Sequence, residues 1–392
     1  MGTGKTTAMI DYINSNPNRQ YIFITPFLKE CERIDNQTNV KFVSPDGKYS
    51  KTSDFRNLIS EGDNIIATHK LFSFIDSETM ELLKMQDYVL ILDEVLEVVE
   101  PVNIKKDDID LLLNNKTIKV LENEKINWID KTYVGNFNTF KNMCINQTVI
   151  FYKGKMMLRL FPCEVFDCFS DTYILTYLFE GSRLKSYLDI YNKEYLYYKL
   201  QDNQIVEGKY DDAEFKQHVN QLVNLYNGKL NDIGSKYTAL SAMWYKDKHK
   251  SAEHKILKNN IYNYFRNVIN DISENIMYSV FSAYEDRYKG TGYCKCFIPM
   301  NCRATNDYAN KRTLCYAINV FENPMIKNWF EEQGVELNEE IFALSTMIQW
   351  IWRSAIRNDQ KIEVFIPSNR MREIFVRWIK NDFSRINLLN VA

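Results

Sequence analysis

The chain lacks an excess of either charge. Its 49 Lys and Arg stand against 51 Asp and Glu, for a net charge of −2 over 392 residues. No global basic field draws it onto nucleic acid, so any such binding must use a local groove. No apolar run approaches the length of a membrane span, and nothing resembles a signal peptide. The 8 cysteines are scattered, which points to a reduced, cytoplasmic protein. Cys294, Cys296 and Cys302 have no second close-spaced Cys/His pair to complete a tetrahedral zinc set and are expected to be structural thiols. The last shortage is at the start. Met1-Gly-Thr-Gly-Lys-Thr-Thr7 holds only the closing half of the phosphate-binding pattern G-x-x-x-x-G-K-[ST]. The first glycine of that pattern, and the strand that feeds it, would precede Met1. Either the chain begins at an internal methionine or the loop has lost its lead-in.

What is present is the composition of an ordinary globular protein, 45% apolar and 26% charged, long enough for two or three domains. Gly2, Thr3, Gly4, Lys5, Thr6 and Thr7 are candidate nucleotide-binding residues. In such a loop backbone N–H groups wrap a triphosphate, the lysine reaches its β and γ phosphates, and a hydroxyl, here Thr6, holds Mg²⁺. Met9, Ile10 and Ile13 then recur at helical spacing until Asn14-Ser-Asn-Pro17 ends the helix.

Short buried strands follow at 21–25, 64–68 and 88–92, separated by helical stretches, one of them over 50–62. Strand, crossover helix and strand in repetition give a parallel sheet with helices on both faces. Ligands bind such sheets at the carboxyl ends of the strands. Thr25, Thr68, His69, Asp93 and Glu94 all fall at that edge, as does the phosphate loop. Val89-Leu-Ile-Leu-Asp93-Glu94 has the form of a Walker B element, in which Asp93 can hold Mg²⁺ through water and Glu94 can orient and deprotonate the attacking water; the bland account is an acidic pair capping a strand.

Residues 101–150 read as an elaboration of the first domain, followed by strands at 156–161 and 173–179. The stretch 183–234 reads as a joint with a strand at 195–200 and a helix from about 213 to 225. A long helical pattern then runs through Ile261, Phe265, Val268, Ile269, Ile272 and Ile276. In the second half, Gln349, Arg353 and Arg357 are spaced four apart, which predicts one stripe on a helix. The bland account is an amphipathic helix with solvated arginines. The sharper one offers guanidinium charge to a nucleotide held by the other domain.

The order of these elements resembles the superfamily 2 helicases, closest to phage-encoded DNA helicases. Gly2–Thr6 is similar to the end of motif I, Thr25-Pro26 to motif Ia, Thr68-His69 to motif Ib, and Asp93-Glu94 to motif II. Leu175-Thr176 is similar to motif III, Ala304–Asp307 to motif V, and Gln349 with Arg353 and Arg357 to motif VI. The resemblance implies an α/β protein of two RecA-like parallel-sheet domains facing a nucleotide cleft, with the first strand of domain 1 missing. Its boundaries would be residues 1–185, a joint over 186–235, and 236–392. It implies an ATP-driven, Mg²⁺-dependent helicase or translocase of a replication or repair type in the host cytoplasm, with replication or repair proteins as partners. The catalytic set would be Lys5, Asp93, Glu94, Gln349, Arg353 and Arg357, with Thr6 and Asp93 on the metal. Arg353 and Arg357 are both candidates for the arginine finger. Thr25, Pro26, Thr68, His69, Thr305 and Asn306 would meet single-stranded or forked nucleic acid, DNA rather than RNA. Two other readings stand beside this one: a nucleic-acid-binding module that has lost hydrolysis, and a P-loop kinase.

Overall fold

The computed structural model describes residues 4–26, 28–47, 50–201, 204–302 and 307–381. Gly2, Thr3, Thr305 and Asn306 lie outside the described residues.

The first sheet is built from β1 (Gln20–Thr25), β2 (Ile65–Thr68), β3 (Tyr88–Asp93) and the Asp171–Leu175 strand, in the order β2, β1, β3, then 171–175. All of its pairings are parallel. Alternation explains why the runs are apolar throughout. Tyr21, Phe23, Val89 and Ile91 point to one face, where they meet Met9 and Ile13 of helix α1 (Lys5–Ser15). Ile22, Ile24, Leu90 and Leu92 point to the other, against Phe55 and Ile59. The helix Lys51–Glu61 carrying those two residues starts on a Ser50 side-chain cap and stops at Gly62, whose φ of 75° suits a left-handed terminus.

Between the acid pair and the Asp171–Leu175 strand the chain makes a small antiparallel body, packed through Val99, Ile150, Tyr152 and Leu158 into the core of the first domain. Val99–Pro101, Met156–Leu160 and Val149–Tyr152 form an antiparallel sheet. A hairpin (Ile118–Val120 with Ile126–Trp128) and helices Lys106–Asn114 and Asn138–Ile145 close a core around Ile118, Ile126, Trp128 and Phe140. The 156–160 strand expected from its apolar run therefore exists, but it pairs here and not in the parallel sheet.

The second sheet is also four-stranded and parallel, ordered Val223–Leu225, Ile362–Phe365, Thr313–Tyr316, Ile276–Ser279. Its first strand comes from within the 186–235 segment, directly after helix Ala213–Leu222. The helical pattern expected to run through Ile276 breaks earlier. Helix Ser251–Asn263 passes into a π turn at Tyr264–Val268, Asn270 takes a positive φ of 58°, and Ile276 begins a strand. Burial on a β edge, not a helix face, set that isoleucine.

The two halves share packing. Ile326, Trp329 and Phe330, from helix Pro324–Glu332, join the core cluster of the first domain beside Tyr187. Gly181 lies so close to Ile341 that an added Cβ would fall 2.5 Å from its side chain and 2.7 Å from its backbone. Among the described residues no helix is long and apolar enough to cross a membrane.

Candidate nucleotide site

Helix α1 begins at the carboxyl edge of the first sheet. Gly4 precedes it in a left-handed conformation (φ 76°), which a side chain would strain, and its carbonyl accepts from Ala8 N–H at 2.8 Å. Lys5 opens the helix, half-buried. Burial lowers its pKa, and the charges of Glu94 and then Asp93 act against that fall. Thr6 Oγ1 donates to Asp93 Oδ1 at 3.2 Å. Thr7 lies on the exposed side of the same turn.

Strand β3 is fully buried until Asp93, so its packing fixes where the acid pair emerges. The Asp93 carboxyl is pushed up to about 6, first by burial and then by the neighbouring Glu94 charge, while the Thr6 hydrogen bond pulls it down. Glu94 holds a positive φ of 70°. A non-glycine residue costs energy there, and such strain persists only where surroundings over-determine it. Its N–H donates to the Leu175 carbonyl at 3.1 Å, at the end of the neighbouring strand.

Gln349 crosses from the second domain and donates through Nε2 to Glu94 Oε2 at 3.4 Å. It projects from helix Glu339–Ile351, alongside a small cavity of about 60 Å³ that it lines with Thr176, Arg183, Ser345 and Thr346. The expected single stripe of Gln349, Arg353 and Arg357 is not formed. The helix ends at Ile351 and is capped at Trp352, Arg353 sits in the following turn, and Arg357 lies on a separate turn, Ala355–Asn358. The break has a packing cause: Ala355 N–H donates to the Lys311 carbonyl, and Ser354, Ala355 and Ile356 are buried. Arg353 lies near Cys302, whose thiol its charge lowers against the upward push of burial.

The expected nucleic-acid contacts fare differently from one another. Thr25 is fully buried and its hydroxyl has no hydrogen-bond partner among the described residues, so the side chain is not at a surface where a phosphate would lie. Burial of the whole of β1 between two helical layers is the reason. Thr68 Oγ1 accepts from Leu71 N–H at 3.4 Å and so caps the single helical turn His69–Phe72. His69 Nε2 lies 2.9 Å from the Asp93 carbonyl oxygen, on the acid pair itself. Pro26 is half-buried beside it.

One interdomain group escaped the sequence altogether. Arg183 donates through Nε (3.0 Å) and Nη2 (2.6 Å) to Glu322, and through Nη1 to Glu97 (3.0 Å) and the Val99 carbonyl (3.2 Å). Its partners stand 139 and 86 residues away, beyond the reach of any local pattern.

This chain is 39% identical over 400 residues to the SPbeta prophage-derived uncharacterized protein YonV of Bacillus subtilis (strain 168), with 97% of each chain covered. The chain belongs to the YonV family. The model of the YonV C-terminal Rossmann-like domain matches residues 217–379, which take in the whole second sheet. That of the YonV middle domain matches residues 99–159, the antiparallel body inserted after the acid pair. Among solved structures this chain is similar to XPD_Helicase (TM-score 0.49, 13% identity, covering 98% of this chain and 93% of that one). It is also similar to XPD_APO (TM-score 0.48, 13% identity, 98% and 94%) and to S. tokodaii Xpd4 (TM-score 0.48, 11% identity, 96% and 91%).

Proposed function

We propose that this YonV-family chain is an ATP-dependent nucleic-acid helicase or translocase acting on single-stranded or forked DNA in a phage setting. The observation that supports it most is the meeting of Lys5, Thr6, Asp93, Glu94 and Gln349 at the edge of one parallel sheet, with Gln349 arriving from the other domain. A half-buried lysine beside two carboxylates, a hydroxyl bonded to one of them and a left-handed glycine at a helix start form a donor set suited to a magnesium–triphosphate group.

In this reading Lys5 would neutralise phosphate charge, and Thr6 and Asp93 would hold Mg²⁺. The ion, when bound, would offset charge on the phosphoryl oxygens. Glu94 takes the proton of the attacking water, and its strained backbone keeps the carboxylate aimed. Gln349 senses the state of Glu94 and links it to the second domain. Arg353 and Arg357 are the candidate fingers, brought in when the domains close. Contacts to DNA run through its phosphates, so sequence preference is weak and salt dependence marked.

The test is ATP hydrolysis by the full chain with and without single-stranded DNA. Stimulated turnover that Lys5→Ala and Glu94→Gln abolish is expected. DNA binding with no turnover under any condition would replace the motor with a hydrolysis-deficient binding module. Equal turnover in both variants would end the assignment of the site.

A further inference from the structure

In a parallel ladder, alternate residues of a strand bond to alternate neighbours. The N–H of Glu94 goes to Leu175, on one side of β3. The carbonyl of Asp93 therefore faces the other side, toward β1. Ile24 stands opposite Leu92 in that pairing, so the next rung would have residue 26 donate to Asp93. Residue 26 is proline and has no N–H to give. The imidazole of His69 stands at that carbonyl instead, with Nε2 at 2.9 Å. A carbonyl can only accept, so the ring carries its proton on Nε2. His69 is the first residue beyond β2, which does not touch β3, so its side chain reaches over the end of β1 to make the bond.

We propose that His69 is a positioning residue for Glu94: it supplies the sheet hydrogen bond that Pro26 cannot, fixes the Asp93–Glu94 peptide, and so holds the left-handed backbone that aims the Glu94 carboxylate. The effect on turnover rests on the hydrolase reading above; the effect on the backbone does not. The bond also ties the chain after β2 to the acid pair, so a ligand that moves this segment acts on Glu94 through one imidazole.

The experiment compares the unsubstituted chain with His69→Ala, His69→Gln and the double variant His69→Ala/Pro26→Ala. The first readout is amide hydrogen exchange of the segment containing Glu94. The second is kcat and KM for ATP with single-stranded DNA present. Loss of one hydrogen bond is expected to speed exchange at Glu94 roughly tenfold and lower kcat by a similar factor, with KM little changed and protection of β2 and helix Lys51–Glu61 intact. His69→Gln, whose amide can still donate, falls between. Pro26→Ala restores a backbone N–H at the open rung, so the double variant regains protection and turnover relative to His69→Ala. Unchanged exchange in His69→Ala, or a double variant no better than the single, would overturn the proposal. If His69→Ala loses protection throughout, His69→Gln with and without Pro26→Ala carries the same comparison. A wild-type chain with no turnover would refute the hydrolase reading, while the exchange comparison would still decide the role of His69.

Discussion

The two parallel sheets are alike in strand number and unlike at their carboxyl ends. The first gathers Lys5, Thr6, His69, Asp93 and Glu94 within one network of hydrogen bonds and charge. The second sends Gln349 into that network and otherwise spends its polar groups differently. Its interior is an aromatic pack in which the hydroxyls of Tyr264, Tyr278, Tyr293 and Tyr316 are buried without partners among the described residues. Unpaired buried hydroxyls are a cost that packing must offset. Under the proposed function, the first sheet would carry the chemistry and the second would supply leverage. A rigid platform need only move one or two side chains to alter a preorganised acid pair.

The largest effect that would break this division is on chemistry. Glu94→Gln and Lys5→Ala should each lower DNA-stimulated kcat by about a thousandfold or more, measured by phosphate release, with no loss of fold by circular dichroism. If variants of the second sheet cost as much, the asymmetry is wrong.

Next comes the connection between the halves. Arg183→Ala strands Glu322, a side chain only 1% exposed, without its counter-charge. Destabilisation of about 3 kcal/mol in urea unfolding is expected, and Glu322→Gln in the same background should recover part of it. Full additivity of the two substitutions would mean the pair does not couple the domains.

A smaller effect of opposite sign belongs to Asp93. Its folded-state pKa of about 6 lies above the ordinary carboxylate value. The folded chain therefore keeps a proton that the unfolded chain has released, between about pH 4 and that value. Stability falls as pH rises through this window. Asp93→Asn should flatten the fall and raise stability at pH 7 by roughly 2 kcal/mol while losing activity, checked by unfolding at several pH values. Magnesium-dependent ATP binding by the wild type should weaken below pH 6, where the carboxyl is protonated.

The smallest effect sharpens the comparison. The bond from Gln349 to Glu94 is long at 3.4 Å, so Gln349→Ala should lower kcat by only about tenfold. A loss as large as that of Glu94→Gln would make the second domain a chemical partner.

Much of the first domain was legible because its signals are local. Uninterrupted apolar runs marked β1, β2 and β3, and the stretch 50–62 read as the helix that forms at Lys51–Glu61. The acid pair at the end of β3 and the Lys5-Thr6 pair were visible as spacing, and the fold brings them together. What was not legible depended on distant groups. The spacing of Gln349, Arg353 and Arg357 fits a helix, but Ala355 is drawn to Lys311 and the helix stops. Thr25 looked like an edge hydroxyl and is covered by neighbours from elsewhere in the chain. The Ile276 run matched a helical period until a π turn and Asn270 redirected it. The place of His69 could have been anticipated only by joining the strand register to the missing donor of Pro26.

Gly181 gives the relation between the halves a physical dimension. The hydrogen in place of a side chain there lets Ile341 settle against the first domain, and helix Glu339–Ile351 rides on that seat. Gln349 is carried by the same helix, so the reach of its amide to Glu94 is measured from this point. A single methyl at residue 181 would act as a shim, lifting helix Glu339–Ile351 from the first domain and drawing the Gln349 amide away from Glu94.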